Sequence, residues 1–179
     1  MKYVALLRGI NVGGNSKVDM KQLKAAFETV GMRDVQTYIN SGNVIFTHDE
    51  ALTNDLAEML RRVIQSEFMF AVDLIVKAYD EMRAIVKVIP PEWQNNSAMK
   101  CDVVFLWDTW TEADALAQFK PRDDIDDVRT APGAIIWKVD RENVTRSGLV
   151  GIIGLPFYRQ VTIRNCNTSR KLLALMDQV

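Results

Sequence analysis

Val35-Gln-Thr-Tyr-Ile-Asn-Ser-Gly-Asn-Val-Ile-Phe-Thr47 (VQTYINSGNVIFT) holds two β-rich runs, Val35–Ile39 and Asn43–Thr47, around the turn Asn40-Ser-Gly-Asn43. Asn and Gly tolerate left-handed backbone, so the stretch reads as a hairpin. What flanks it decides the fold. Upstream, Lys2–Arg8 is apolar at nearly every position, the pattern of a strand buried on both faces. Asp19 then stands as an N-cap with Gln22 three residues on. Met20, Leu23, Phe27 and Val30 recur at helical spacing, and Gly31 supplies the stop, so a helix is predicted over 20–30. Downstream, Thr47 with Glu50 opens a second helix whose apolar face is Leu52, Leu56, Met59, Leu60, Val63 and Ile64. Ala71–Val76 returns as a strand. The order is β-α-β-β-α-β, the ferredoxin-like split β-α-β pattern.

A helix over Tyr79–Ile89 ends at Pro90-Pro91, and Pro90–Lys100 (PPEWQNNSAMK) reads as a linker. The order then restarts. Cys101–Trp107 is a strand, Glu112–Phe119 a helix, and Val128–Ala131 with Ala134–Val139 a strand pair around Pro132-Gly133. Residues 145–160 (TRSGLVGIIGLPFYRQ) hold three glycines and a proline, too broken for one helix. Val161–Arg164 follows as a short strand and Ser169–Met176 as a closing helix. The reading is α+β, with two ferredoxin-like halves, the second degraded, in one compact unit. The N-terminal half spans 1–77, helix and linker 78–100, and the C-terminal half 101–179. No residue-level repeat accompanies the repeated element order.

At 179 residues, 48% hydrophobic and 25% charged, the chain suits a globular protein of one large domain or two small ones. No apolar run approaches the roughly 18 residues of a membrane span, and no secretory signal pattern opens the chain. Cys101 and Cys166 lie far apart in sequence without a CxxC, which suits reduced thiols and a cytoplasmic location. The net charge of −1 is unevenly spread. Residues 1–47 carry six Lys/Arg against three Asp/Glu, residues 48–137 nine against seventeen, and residues 138–171 seven against two. The two basic segments contain the Arg-, Gly- and Asn-rich motifs, and a local positive patch is compatible with a neutral total.

Three such motifs form the candidate site. Arg8-Gly9-Ile-Asn11-Val-Gly13-Gly14, with Lys17 close behind, fits neither G-x-G-x-x-G nor a P-loop. Glycine-loop N–H groups ahead of a helix still favour an anion, and Arg8 adds a planar bidentate donor. The bland alternative is a bent β-to-α connection. In a split β-α-β fold the end of the first strand lies beside the start of the third. Asn40, Ser41 and Asn43 are thereby placed near Arg8 and Asn11, as neutral donors or simply as a turn. Arg164-Asn165-Cys166-Asn167-Thr168 is the third piece. Arg164, Asn165 and Thr168 read as anion contacts at a helix start, or as a strand end and a cap supplied by Asn167 or Thr168.

The shared chemistry of the three motifs is Arg, Asn, Gly and hydroxyls with hardly a carboxylate. It points to a cleft for a small phosphate- or carboxylate-bearing ligand. Nucleic acid is a second possible partner. A third reading has the motifs join the two halves and nothing more. RNA recognition on the sheet face fits poorly, because the third strand keeps only Phe46 as a ring and the first strand shows no polar face. His48 is the sole histidine and has no nucleophile to serve. Asp123-Asp124-Ile-Asp126-Asp127 lacks the glycine and glutamate of a calcium loop and reads as a solvated turn. No general base can be named, so binding outranks catalysis, and no cofactor or metal is implied.

LLRGINVGG, TYINSGNVIF and VTIRNCNT, in that order, also resemble a bacterial family known as domain of unknown function 1697. The resemblance spans essentially the whole chain. It implies an α+β fold of two ferredoxin-like halves, and neither a cofactor nor a reaction. Where the family's last motif usually has an aromatic residue, commonly Trp, this chain has Cys166. Any ligand stacked on that ring in the relatives would be held differently or more weakly here.

Overall fold

The computed structural model describes residues 1–12, 16–49 and 54–179. Gly13, Gly14, Glu50 and Leu52, all singled out above, lie outside the described residues. The first elements are β1 (Lys2–Leu7), α1 (Met20–Thr29), β2 (Arg33–Tyr38), β3 (Asn43–Thr47), α2 (Asn54–Phe68), β4 (Leu74–Ala78) and α3 (Tyr79–Val88). The remainder are β5 (Met99–Leu106), α4 (Glu112–Phe119), β6 (Asp126–Ala131), β7 (Ala134–Asp140), α5 (Gly148–Gly151), β8 (Val161–Asn165) and α6 (Cys166–Met176). By contacts the chain divides into two units, Met1–Asp80 with Leu172–Val179, and Glu81–Lys171. The boundaries fall inside α3 and α6.

In the first unit an antiparallel sheet runs in the order β2-β3-β1-β4. β1 lies in the centre, pairing Leu6 with Asn43 on one side and Leu7 with Leu74 on the other. Tyr3, Ala5, Leu7, Val44, Phe46, Leu74 and Val76 pack with Leu23, Phe27, Leu56, Leu60 and Ile64 of the two helices. Burying each large side chain stabilises by about 1.5–3 kcal/mol before chain entropy is counted. The other face of β1 and β3, with Val4, Leu6 and Ile45, is just as buried, which is why β1 shows no polar alternation. Asp19 caps α1 through Oδ1, which accepts the N–H groups of Lys21 (2.8 Å) and Gln22 (3.0 Å). At the other end Gly31, at φ +87°, donates to Glu28 O while Met32 donates to Phe27 O, closing the helix. The C-terminal tail joins this unit through Tyr79 Oη, which donates to Asp177 Oδ1 at 2.6 Å.

The second unit has a sheet of order β6-β7-β5-β8, each strand placed as its counterpart is in β2-β3-β1-β4. α6 follows β8 as α3 follows β4, so the duplication of element order is real. The class is mixed α+β with two four-stranded antiparallel sheets. Where the first unit has α2, the second has short turns: 3₁₀ segments at Arg141–Arg146, Ile152–Gly154 and Pro156–Gln160 around α5. Each apolar turn still drives one side chain inward, Leu149, Ile152 and Phe157, against Phe119, Ile135 and Trp137.

Several boundaries move by one or two residues, and two of them, the starts of β4 and α6, by three. The fourth strand is Leu74–Ala78, not Ala71–Val76, because pairing with β1 sets its register. The last helix begins at Cys166, not Ser169. Asn165 Oδ1 accepts the Thr168 N–H at 2.8 Å, so Asn165 is the cap, rather than Asn167 or Thr168. No helix among the described residues is long and apolar enough to cross a membrane.

Candidate functional site

Arg8 and Gly9 leave β1 with the Arg8 N–H donated to Asp73 O at 2.8 Å. Ile10 turns into the core, and Asn11 takes a left-handed φ of +55°. The Asn11 side chain then makes three hydrogen bonds to the backbone. Its Nδ2 donates to Val18 O (3.0 Å) and to Asn40 O (2.9 Å), and its Oδ1 accepts the Val18 N–H (2.9 Å). One amide thus ties the β1–α1 connection to itself and to the β2–β3 turn.

That turn lies against β1, as the strand order requires. Leu7 N–H donates to Gly42 O at 2.8 Å, and Asn43 pairs with Leu6. Asn43 is fully buried, its Nδ2 donating to Tyr38 O (2.9 Å) and Ser41 Oγ (3.1 Å), so it is scaffold. Asn40 is exposed. Together Asn11, Lys17, Val18, Asp19, Met20, Lys21 and Asn40 line an open cleft of about 630 Å³. Lys17 and Lys21 are exposed and flank the Asp19 carboxylate. Because that carboxylate already takes the first-turn N–H groups of α1, any attraction for an anion comes from the lysines, not from the helix end.

The third motif lies in the other unit. Arg164 is buried, with Nη1 donating to Thr162 Oγ1 (3.1 Å) and Ile163 O (2.9 Å). Burial pushes its guanidinium down to about 10, which leaves it charged at neutral pH. Asn165 and Thr168 form the cap of α6. Of the sequence-derived site residues, the first unit therefore brings together Arg8, Gly9, Asn11, Lys17, Asn40, Ser41 and Asn43. The second holds Arg164, Asn165 and Thr168.

Residues 1–137 match the family model described as protein of unknown function, DUF1697. The chain belongs to this family. The matched residues include positions 8–14 and 40–43 and stop before 164–168. The fold is similar to that of the conserved bacterial protein SP0830 from Streptococcus pneumoniae, with a TM-score of 0.84, 26% identity and 98% of each chain covered. No curated protein matches the chain.

Several organising residues of this family member escape a reading of the sequence. Arg170 donates to Trp93 O and Pro90 O, both at 2.7 Å, and Asn167 exchanges hydrogen bonds with the Asn95 backbone at 3.1 and 3.3 Å. The stretch expected to be a linker is thereby clamped onto α6. Asp126, expected to be solvated, accepts four hydrogen bonds, from Arg122 N, Trp137 Nε1, Ser147 Oγ and Gly148 N. Phe46, the ring weighed for base stacking, stacks instead on Tyr3 inside the core with centroids 5.6 Å apart. Among the described residues no group of His, Cys, Asp and Glu is arranged to hold a metal.

Proposed function

We propose that this protein binds a small anionic or polar ligand, phosphate- or carboxylate-bearing, in the first unit, with Lys17, Lys21 and Asn40 as the cleft-lining contacts and Arg8, from the end of β1, as a further donor. The observation that carries the reading is the convergence of two exposed lysines and an exposed asparagine on one open cleft whose wall Asn11 fixes. Asn11 and Asn43 act as scaffold rather than as contacts, and so does Asn165 in the second unit. The described lining residues offer no nucleophile paired with a base, so the role is binding rather than catalysis. Two free, buried cysteines suit a cytoplasmic protein.

A second reading, in which the motifs are only structural, draws on the same scaffold bonds of Asn11, Asn43 and Asn165. Nucleic acid remains the third, restricted to the basic cleft, since the sheet residues that would face it are buried.

A thermal-shift screen tests all three, using nucleotides, sugar phosphates, short carboxylates and short RNA and DNA at two salt concentrations. A ligand at 100 times its Kd adds about 2.7 kcal/mol, or about 5–10 °C for a chain of this size. The expected result is a shift with one phosphate or carboxylate class that is lost in Lys17→Ala/Lys21→Ala while the unliganded melting temperature stays put. A salt-sensitive shift with any oligonucleotide would transfer the reading to nucleic acid. No shift with any probe, together with strong destabilisation by Arg8→Ala, would leave the structural reading.

A further inference from the structure

Cys101 and Cys166 are both free and fully buried, and nothing in the binding proposal uses them. They are distant in sequence and adjacent in space. The β5–β8 pairing runs from Leu106 opposite Val161 to Asp102 opposite Asn165, and Cys101 and Cys166 are the next residue on each chain. Each thiol is the strongest influence on the other's protonation, which places the two side by side. The last opposed pair, Asp102 and Asn165, stands about 4.5–5.5 Å apart at Cα, and the cysteines one step beyond it fall in the neighbourhood of the roughly 4.4–6.8 Å that a disulfide bridges.

The two sulfurs are not equivalent. Cys166 is the first residue of the eleven-residue helix α6, where backbone N–H groups favour a thiolate, and Arg170 Nη1 lies 3.9 Å from its Sγ. The Cys101 thiol beside it and the charge of Arg170 hold the Cys166 thiol below the usual range against the opposing effect of burial. Cys166 in turn, with burial, pushes Cys101 up. The helix start and Arg170 thus favour the thiolate at Cys166 over one at Cys101. Cys166 is covered by the segment around Trp93, which is itself buried. Its Sγ lies 3.6 Å from Trp93 O, and Pro91, Glu92 and Gln94 beside it are exposed. That segment is held by the side chains of Asn167, Arg170 and Arg141, with Arg129 over the Trp93 ring, rather than by strand pairing. Lifting it is a local opening that leaves the sheet intact.

We propose that Cys101 and Cys166 form a peroxide-oxidisable dithiol, with Cys166 attacking and Cys101 resolving. The Cys166 thiolate attacks one oxygen of hydrogen peroxide, the O–O bond breaks, and the departing hydroxide takes the proton that Cys166 released. Cys166 is left as a sulfenic acid and one water is formed. The Cys101 sulfur then attacks the Cys166 sulfur, the S–O bond breaks, and a second water leaves with the Cys101 proton as the S–S bond forms. Two thiols lose two electrons and one peroxide becomes two waters. The product ties the start of β5 to the start of α6, beside the 90–96 segment.

The test treats the full chain, folded and reduced, with hydrogen peroxide, then alkylates it in denaturant and measures the intact mass. The expected product is monomeric and carries no alkyl group, and both groups appear after reduction with dithiothreitol. With dimedone present, Cys101→Ser is expected to trap the adduct at Cys166. In Cys166→Ser, dimedone capture at Cys101 is expected to be at least about tenfold slower. Full alkylation of both cysteines after peroxide would overturn the proposal, and the wild-type measurement alone reads this outcome. Exclusively intermolecular disulfides would also overturn it. So would equal dimedone capture by the two variants.

Discussion

Asp126→Ala is expected to lower the unfolding free energy by about 3–5 kcal/mol. The carboxylate of Asp126 is a junction. Oδ1 accepts the indole N–H of Trp137 at 3.0 Å and the Ser147 hydroxyl at 2.6 Å, while Oδ2 accepts the N–H groups of Gly148 and Arg122, both at 2.9 Å. Removing it strands the indole N–H of a fully buried tryptophan. It also frees the entry to α5, whose Leu149 is part of the second unit's core. Each lost hydrogen bond to a charged acceptor is worth about 1.5–3 kcal/mol, and the four are not additive because they share one group. Asp126→Asn keeps acceptor capacity on one atom only and should fall between wild type and alanine.

The same junction gives a pH signature. Burial pushes the Asp126 carboxyl up, but the hydrogen bonds from Ser147, Arg122, Gly148 and Trp137 outweigh it and hold the group below the usual carboxylate range. A pKa lower in the folded than in the unfolded chain gives stabilisation that is complete above the unfolded value of about 3.9. It is lost as pH falls from there toward the folded value. Urea unfolding of wild type and Asp126→Ala should therefore show a wide gap at neutral pH that narrows below about pH 4. A gap under about 1 kcal/mol at neutral pH, or one unchanged by acid, would mean the four bonds do not hold the turn.

The contrast between Asp126 and the hairpin shows which information the sequence carries locally. The 35–47 hairpin, α1 between Asp19 and Gly31, and α4 at Glu112–Phe119 were all legible, because the residues that start, stop and turn them lie within the elements themselves. β4 and α6 were displaced by a few residues for the opposite reason. The register of β4 comes from Leu7, 67 positions upstream of Leu74, and the start of α6 is set by Asn165 acting as cap from the end of a strand. Asp126 sits in a run of four aspartates that differ in nothing but the company each keeps. Its partners Trp137, Ser147 and Gly148 are 11, 21 and 22 residues away. The candidate site was half legible in the same sense. Its polar motifs stand out, and the strand order correctly put the 40–43 turn beside the end of β1. The division of labour among three asparagines did not show. Asn11 and Asn43 are consumed by the backbone and Asn40 faces outward, and only the folded geometry separates them.

Gly42→Ala is expected to cost about 2–4 kcal/mol, from two causes that a control variant can separate. The first is conformational. Gly42 has φ +78°, in the left-handed region, where an L side chain costs about 1–2 kcal/mol. The second is space. A Cβ at Gly42 would stand 2.7 Å from Leu7 Cβ and 2.8 Å from Ile10 Cδ1. Leu7 Cβ belongs to the central strand and cannot swing away as a side-chain tip can. The turn must lift instead, stretching the 2.8 Å bond from Leu7 N–H to Gly42 O and drawing Asn40 O off Asn11. Gly31→Ala meets only the first cause, since Gly31 has φ +87° and nothing within 4 Å of a Cβ. It should cost about 1–2 kcal/mol. In urea unfolding the difference between the two variants isolates the contact between the turn and β1. If the proposed ligand binds in the cleft beside Asn40, Gly42→Ala should also weaken it while Gly31→Ala leaves it unchanged. Equal destabilisation by both variants would mean that the turn accommodates a methyl group and that Gly42 serves the backbone alone.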